Sequence, residues 1–216
     1  MTDSTGKVSQ RRKAYEAIRN MIIQQEIRPG YPIWETDIAE LLGMSRTPVR
    51  EALQRLRSDG LVYHIKNRGL FVKDLTGEEV EQNYQLTEAV ESMIAYLLAQ
   101  KRDEACIKAL EESTDKMEMF LDDAHTDEWA ESDTRFHDMM LDFCDNKCLV
   151  DIQNRTNILI KNVRIRYTRL SLDRKASTMQ HRSLLEAIRS GDAEKARRVW
   201  QEHLSGVSKE IKRLLL

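Results

Sequence analysis

The sequence has little of what cross-links, breaks or anchors a chain. It holds three cysteines, Cys106, Cys144 and Cys148. They are an odd number with no CxxC spacing, so no thiolate metal motif is indicated and reduced thiols are expected. Three prolines and 6% aromatics, beside 32% charged residues, are the profile of a helical soluble protein. No apolar run is long enough to span a bilayer. The start, Met1 to Lys7, lacks the apolar core of a signal peptide. These absences predict a cytoplasmic chain with no membrane partner.

Charge is plentiful but unevenly spread. The formal net charge is −2 over 216 residues. Residues 1–75 carry 13 Lys and Arg against 9 Asp and Glu, or +4; the remainder carries 21 against 27, or −6. A basic first third joined to an acidic remainder suggests a polyanion-binding domain attached to something else.

Within that basic third, Met44 to Gly60 reads as a short helix with a packed side and a basic side. Val49, Ala52, Leu53 and Leu56 recur at helical spacing, and Arg46, Arg50, Gln54 and Arg57 gather beside that stripe. Pro48 suits the first turn, and Asp59-Gly60 suits the end. Arginines near a helix N-terminus fit a DNA groove; an ordinary solvated face is the alternative. Upstream, Gln10 to Ile27 is predicted as an amphipathic helix broken by Arg28-Pro29-Gly30, and Glu35 to Leu42 as a second helix followed by the turn Gly43-Met44-Ser45. Downstream, Leu61–Ile65 and Leu70–Val72 read as strands around the basic tip Lys66-Asn67-Arg68-Gly69. Helix, turn, helix and basic hairpin make a winged helix-turn-helix. His64 beside the tip reads as a surface residue.

These residues resemble the N-terminal domain of GntR-family transcription regulators. The resemblance rests on Pro29-Gly30, Glu35…Ile38-Ala39…Leu42-Gly43, the run Ser45-Arg46-Thr47-Pro48-Val49-Arg50-Glu51-Ala52-Leu53, and Asn67-Arg68-Gly69. It implies DNA contacts by Arg46, Thr47 and Arg50, with Arg68 and Gly69 at the wing tip. Thr36 stands where family members often carry a further DNA-contacting arginine.

Residues 76–216 read as all helical: Glu78 to Gln100, Asp103 to Leu121, Asp127 to Cys144, Asn146 to Leu170, Asp173 to Ser190 and Asp192 to Leu215. Short connections predict an antiparallel six-helix bundle, with Thr76 and Asp192 as N-caps. The expected architecture is therefore mainly α, a winged helix-turn-helix over 1–75 plus this bundle. Asp133 and His137 lie four apart, on a face shared with Trp129, Phe136 and Met140. His181 shares a stripe with Leu184, Leu185 and Ile188, and His203 one with Ala196, Val199 and Trp200. All four should point inward. A buried carboxylate needs a cation or strong donors, and three imidazoles with one carboxylate in a bundle core suit a divalent transition metal. A core histidine satisfied by one hydrogen bond is the alternative for each. His125 falls in a predicted loop.

The pattern Asp133…Phe136-His137…Leu141, His181…Leu184…Ile188…Asp192 and His203-Leu204 resembles the FCD ligand-binding domain of the FadR branch, and six helices its VanR-type subgroup. The resemblance implies a homodimer on a palindromic operator. It also implies a metal held by Asp133, His137, His181 and His203, and a small organic-acid effector. The metal would be zinc, nickel, manganese or iron. Three positions depart from the usual pattern: Thr87 where an arginine is common, Gln180 rather than Glu before His181, and the turn Cys144-Asp145-Asn146. Arg164, Arg166 and Arg169 could supply a carboxylate clamp, but arginines on the bundle surface are the expected reading. A sensor of the metal itself and a metal-dependent hydrolase are the competing functions, the hydrolase lacking a visible general base.

Overall fold

A computed structural model describes residues 4–24, 26–74, 76–168 and 173–215, with side chains described for all of these but 4–9, 155–159, 162, 165, 166, 168 and 215. The chain divides into two compact units, Met1–Leu75 and Thr76–Leu216.

In the first unit the elements are α1 (Ser4–Ile23), β1 (Pro32–Ile33), α2 (Glu35–Leu41), α3 (Arg46–Ser58), β2 (Val62–Ile65) and β3 (Gly69–Val72). Val49, Ala52, Leu53 and Leu56 of α3 are all buried, and α3 packs on α1, whose Ala14, Ile18 and Ile22 are buried too. Each fully buried Leu or Ile contributes about 1.5–3 kcal/mol. With that stripe spent on the core, the arginines of α3 remain at the surface. Beyond α3, Gly60 takes φ +78, and the Leu61 N–H returns to the Leu56 carbonyl at 2.9 Å. Closure of this kind in the left-handed region is what glycine permits without strain. The sheet order is β1-β3-β2, both pairs antiparallel, with Ile65 opposite Gly69.

Two expectations here need correction. The first helix runs Ser4–Ile23 rather than Gln10–Ile27. It gives way before the Pro29-Gly30 break, and the Ile27 N–H reaches back to the Met21 carbonyl outside helical register. Gly69 is not at the wing tip but opens β3; the turn is Lys66-Asn67-Arg68, with Asn67 at φ +64. The stretch around Pro32 is a strand that pairs with β3.

The second unit contains α4 (Gly77–Lys101), α5 (Glu104–Met119), a 3-10 turn (Asp123–His125), α6 (Thr126–Asp142), α7 (Lys147–Thr168), α8 (Arg174–Ser190) and α9 (Ala193–Leu215). Six α-helices are thus present among its described residues, and His125 lies in the 3-10 turn rather than a plain loop. Side chains fix the starts of most helices. Thr76 and Glu79 form a reciprocal capping box on α4. Asp103, Asp173 and Asp192 accept from the backbone N–H groups of Cys106, Ala176 and Lys195 at 2.9–3.0 Å. Such caps satisfy N–H groups that no helical carbonyl can reach. Gly191 (φ +78) turns the chain between α8 and α9 where a Cβ would come within 2.9 Å of the Arg102 side chain. Helix α4 is the hub, packing on α6, α7, α8 and α9. Trp129, Phe136, Met140 and Trp200 are completely buried around it.

Candidate functional site

Two groups of functional side chains stand out, one in each unit. On α3, Arg46, Thr47, Arg50, Gln54 and Arg57 are exposed. A groove of about 510 Å³ runs between α3 and the wing, lined by Arg46, Arg50, Arg57, His64, Gly69 and Trp34 among others. His64 is exposed in β2, as expected of a surface residue, and faces this groove. Arg68 is exposed at the turn, its guanidinium 5.6 Å from the Phe71 ring centroid. Thr36, in the slot where an arginine is frequent, also lines the groove and donates its hydroxyl to Asp37 Oδ1 at 2.9 Å.

One carboxylate serves two of these arginines. Arg50 Nε donates to Glu35 Oε1 and Oε2 at 3.2 and 3.1 Å, and Arg50 Nη2 lies 3.0 Å from Oε2. Arg46 Nη2 is 3.7 Å from the same oxygen. Glu35 is the first residue of α2, so free backbone N–H groups favour its negative charge.

In the second unit, His137 and Asp133 project from α6, His181 from α8 and His203 from α9, all buried. Ligating nitrogens of the three histidines lie within 4.8 Å of one another. Asp133 Oδ1 is 3.3 Å from His181 Nε2 and 3.9 Å from His137 Nε2. All four side chains are therefore brought together.

The opposite ring nitrogens are all engaged. His137 Nδ1 donates to Glu91 Oε2 (2.7 Å), His181 Nδ1 to the Ser177 carbonyl (2.8 Å), and His203 Nδ1 to Gln180 Oε1 (2.9 Å). The Glu91 carboxylate and the Ser177 carbonyl have no proton to give, so the neutral rings of His137 and His181 carry their proton on Nδ1 and turn the Nε2 lone pair inward. His137 Nε2, His181 Nε2 and Asp133 Oδ2 are buried with no hydrogen-bond partner among the described residues. Burial, reinforced by Arg164, lowers the His137 pKa; burial and the two neighbouring histidines push that of His203 well down. Burial alone would raise the Asp133 carboxyl, but the positive charge of Arg164 beside it holds it well below the usual range. Neutral imidazoles, which burial favours at His137 and His203, and an ionised carboxylate are the protonation states that ligate metal.

Glu91 escaped the sequence reading. Its buried carboxylate takes hydrogen bonds from three other helices: His137 of α6, Gln153 Nε2 of α7 at 2.8 Å, and Trp200 Nε1 of α9 at 3.0 Å. Burial would raise its pKa, yet His137 and Arg164 hold it low. In the sequence, Glu88 and Glu91 look alike; only the helix's inward face distinguishes them. Arg164 also corrects an expectation: it is buried, not on the bundle surface, with Nη1 3.7 Å from Asp133 Oδ2. The buried cation beside the cluster thus comes from α7, whereas Thr87 on α4 is wholly buried. The side chain of Arg166 and all of Arg169 lie outside the described residues.

Comparison with known proteins agrees with both units. Residues 10–72 match the family model "Bacterial regulatory proteins, gntR family", and residues 82–206 match the FCD domain. A transcriptional regulator from the ttuE-ttuC' intergenic region of Agrobacterium vitis is 39% identical over 143 residues, 64% of this chain and 81% of its own. The regulator YdhC of Bacillus subtilis is 28% identical over 205 residues, 93% and 90% of the two chains. Among solved structures, Escherichia coli McbR/YncC superposes with a TM-score of 0.82 at 17% identity, covering 96% of this chain and 99% of that one. A GntR regulator from Rhodococcus sp. RHA1 gives 0.76 at 22%, covering 94% and 97%. The chain belongs to the GntR family as a member with a C-terminal FCD domain, and is a DNA-binding transcription regulator, not an enzyme.

Proposed function

We propose that this regulator reads a palindromic operator as a homodimer, under control of a small organic acid bound beside a divalent-metal site in the FCD domain. On this reading Arg46 and Arg50 contact base edges and Thr47 the backbone, while Arg68 and Gly69 bring the wing against phosphate or the neighbouring groove. A two-fold dimer suits a two-fold operator. Six helices after residue 76 support assignment to the VanR-type subgroup, and the run of shared pattern supports a soluble, cytoplasmic regulator.

The observation that carries the metal reading is the buried Nε2 atoms of His137 and His181, without a hydrogen-bond partner among the described residues and next to an ionised Asp133, with His203 close by. Donor atoms around one ion at about 2.1 Å lie roughly 3–4 Å apart. The Asp133 separations of 3.3 and 3.9 Å meet that condition. Asp133, His137, His181 and His203 would hold zinc, nickel, manganese or iron. When bound, such a metal offers positive charge and open positions to an anionic oxygen ligand. Arg164, buried beside Asp133, adds a second positive charge suited to the carboxylate of the effector. Glu91 ties His137 to α4, the helix that opens the second unit, so an effector that favours one packing of α4 over another can alter DNA binding.

For the DNA reading, Arg46→Ala and Arg50→Ala should each weaken operator binding and cut discrimination against single-base changes by about 1–3 kcal/mol. Fluorescence anisotropy on an operator obtained by in-vitro selection measures both. Full affinity and selectivity in either variant would overturn that residue's assignment. Sensing of the metal itself predicts operator binding that follows metal concentration with no organic acid added.

A further inference from the structure

The contact between Glu35 and the arginines of α3 lies on the groove and not in the core: Arg46 and Arg50 are exposed and Glu35 is half-buried. An exposed ion pair stabilises a fold little, yet this one is placed where DNA would sit. We propose that Glu35 is a positioning residue for base reading, which orients Arg50 and keeps the arginine pair off the phosphates of unselected DNA. The proposal rests on the reading of Arg50 as a base-contacting residue.

The geometry supports both halves. A guanidinium carries five N–H donors in a planar fork. Glu35 takes the edge formed by Nε and Nη2 of Arg50. The other edge, formed by the two Nη atoms, is left to make the bidentate contact that guanine O6 and N7 accept. Held on one side by a carboxylate anchored at the start of α2, Arg50 loses less freedom when that edge engages a base. The carboxylate also works against the wrong partner. Binding to unselected DNA is driven by phosphate neutralisation. A phosphate approaching Arg46 or Arg50 must either displace Glu35 or sit beside its negative charge. A base edge carries only partial charges and is repelled far less. Specificity is a difference of affinities, and a repulsive element aimed at the competitor raises it.

The test compares full-length wild type, Glu35→Gln and Arg50→Ala by fluorescence anisotropy. The probes are a duplex selected in vitro with the wild-type protein and a scrambled duplex of equal length and composition, from 50 to 200 mM NaCl. Glutamine keeps an acceptor for Arg50 but removes the charge. The expected result is affinity for the scrambled duplex raised by about 2–5-fold, with its salt slope steeper by about one. Affinity for the selected duplex should hold or fall, so the ratio of the two affinities drops. A variant that is merely less folded weakens both duplexes together. A ratio that is unchanged or higher in Glu35→Gln overturns the proposal. If Arg50→Ala leaves binding to the selected duplex intact, the base-reading assignment of Arg50 fails instead, whatever Glu35 does.

Discussion

At the scale of single residues, the molecule repeatedly uses an acidic side chain to fix the state of a neighbour. Glu91 fixes the tautomer of His137, Glu35 the orientation of Arg50, and Asp59 the proton of Tyr15. The last pair gives a clean test in the first unit. Tyr15 is buried and donates its hydroxyl to Asp59 Oδ2 at 2.7 Å. Burial and this carboxylate raise its pKa to about 12. Because the folded value lies above the unfolded value of about 10, the pair's contribution is complete below pH 10. It is lost as pH rises from 10 through 12. Tyr15→Phe should cost about 1–2 kcal/mol at neutral pH and flatten the loss of stability between pH 10 and 12, measured by urea unfolding. An unchanged alkaline profile would show the hydrogen bond to be idle.

Residue scale is also where the sequence is least legible. Asp133, His137, His181 and His203 could be identified because each sits on an apolar stripe, and the stripes alone imply convergence. Glu91 and Arg164 could not. Glu91 follows Glu88 on a helix with many polar positions, and Arg164 shares its helix with Arg166 and Arg169. Which of such residues faces inward depends on the neighbours of α4 and α7, and these are set by tertiary packing rather than by local pattern. The tie between Glu35 and Arg50 is not legible either, since the two lie fifteen residues apart in the sequence.

At the scale of elements, α3 and α4 carry the account. Helix α3 was legible throughout: Val49, Ala52, Leu53 and Leu56 are its buried face, and Ser45 and Asp59 flank it. The hairpin was legible to within one residue, Gly69 moving from tip to strand because Ile65 pairs with it. Helix α4 depends on its cap. Thr76→Ala removes the hydroxyl that accepts from the Glu79 N–H and should lower stability of the second unit by about 0.5–2 kcal/mol, read by thermal unfolding. No change would mean that α4 is held by packing alone. The same helix delivers Glu91 to His137. Glu91→Gln should weaken zinc binding by about 10–100-fold in a chelator competition. Nitrogen-15 shifts of the His137 ring should move toward mixed tautomers in the metal-free protein, a change that loss of packing elsewhere would not produce. Wild-type zinc affinity and an unaltered tautomer would refute the role of Glu91.

At the scale of the whole molecule, a basic unit and an acidic unit meet at Thr76, with +4 on residues 1–75 and −6 on the rest. The positive balance of the first unit suits its polyanion partner. The central claim is that Asp133, His137, His181 and His203 hold one divalent ion in each chain of a homodimer. Native mass spectrometry of the full-length protein, beside the His181→Ala/His203→Ala double variant, tests it most directly. The expected result is a dimer of 25.2 kDa chains with one divalent ion per chain, and no such ion in the variant. Wild-type protein free of metal, or a variant that carries as much as the wild type, would contradict it.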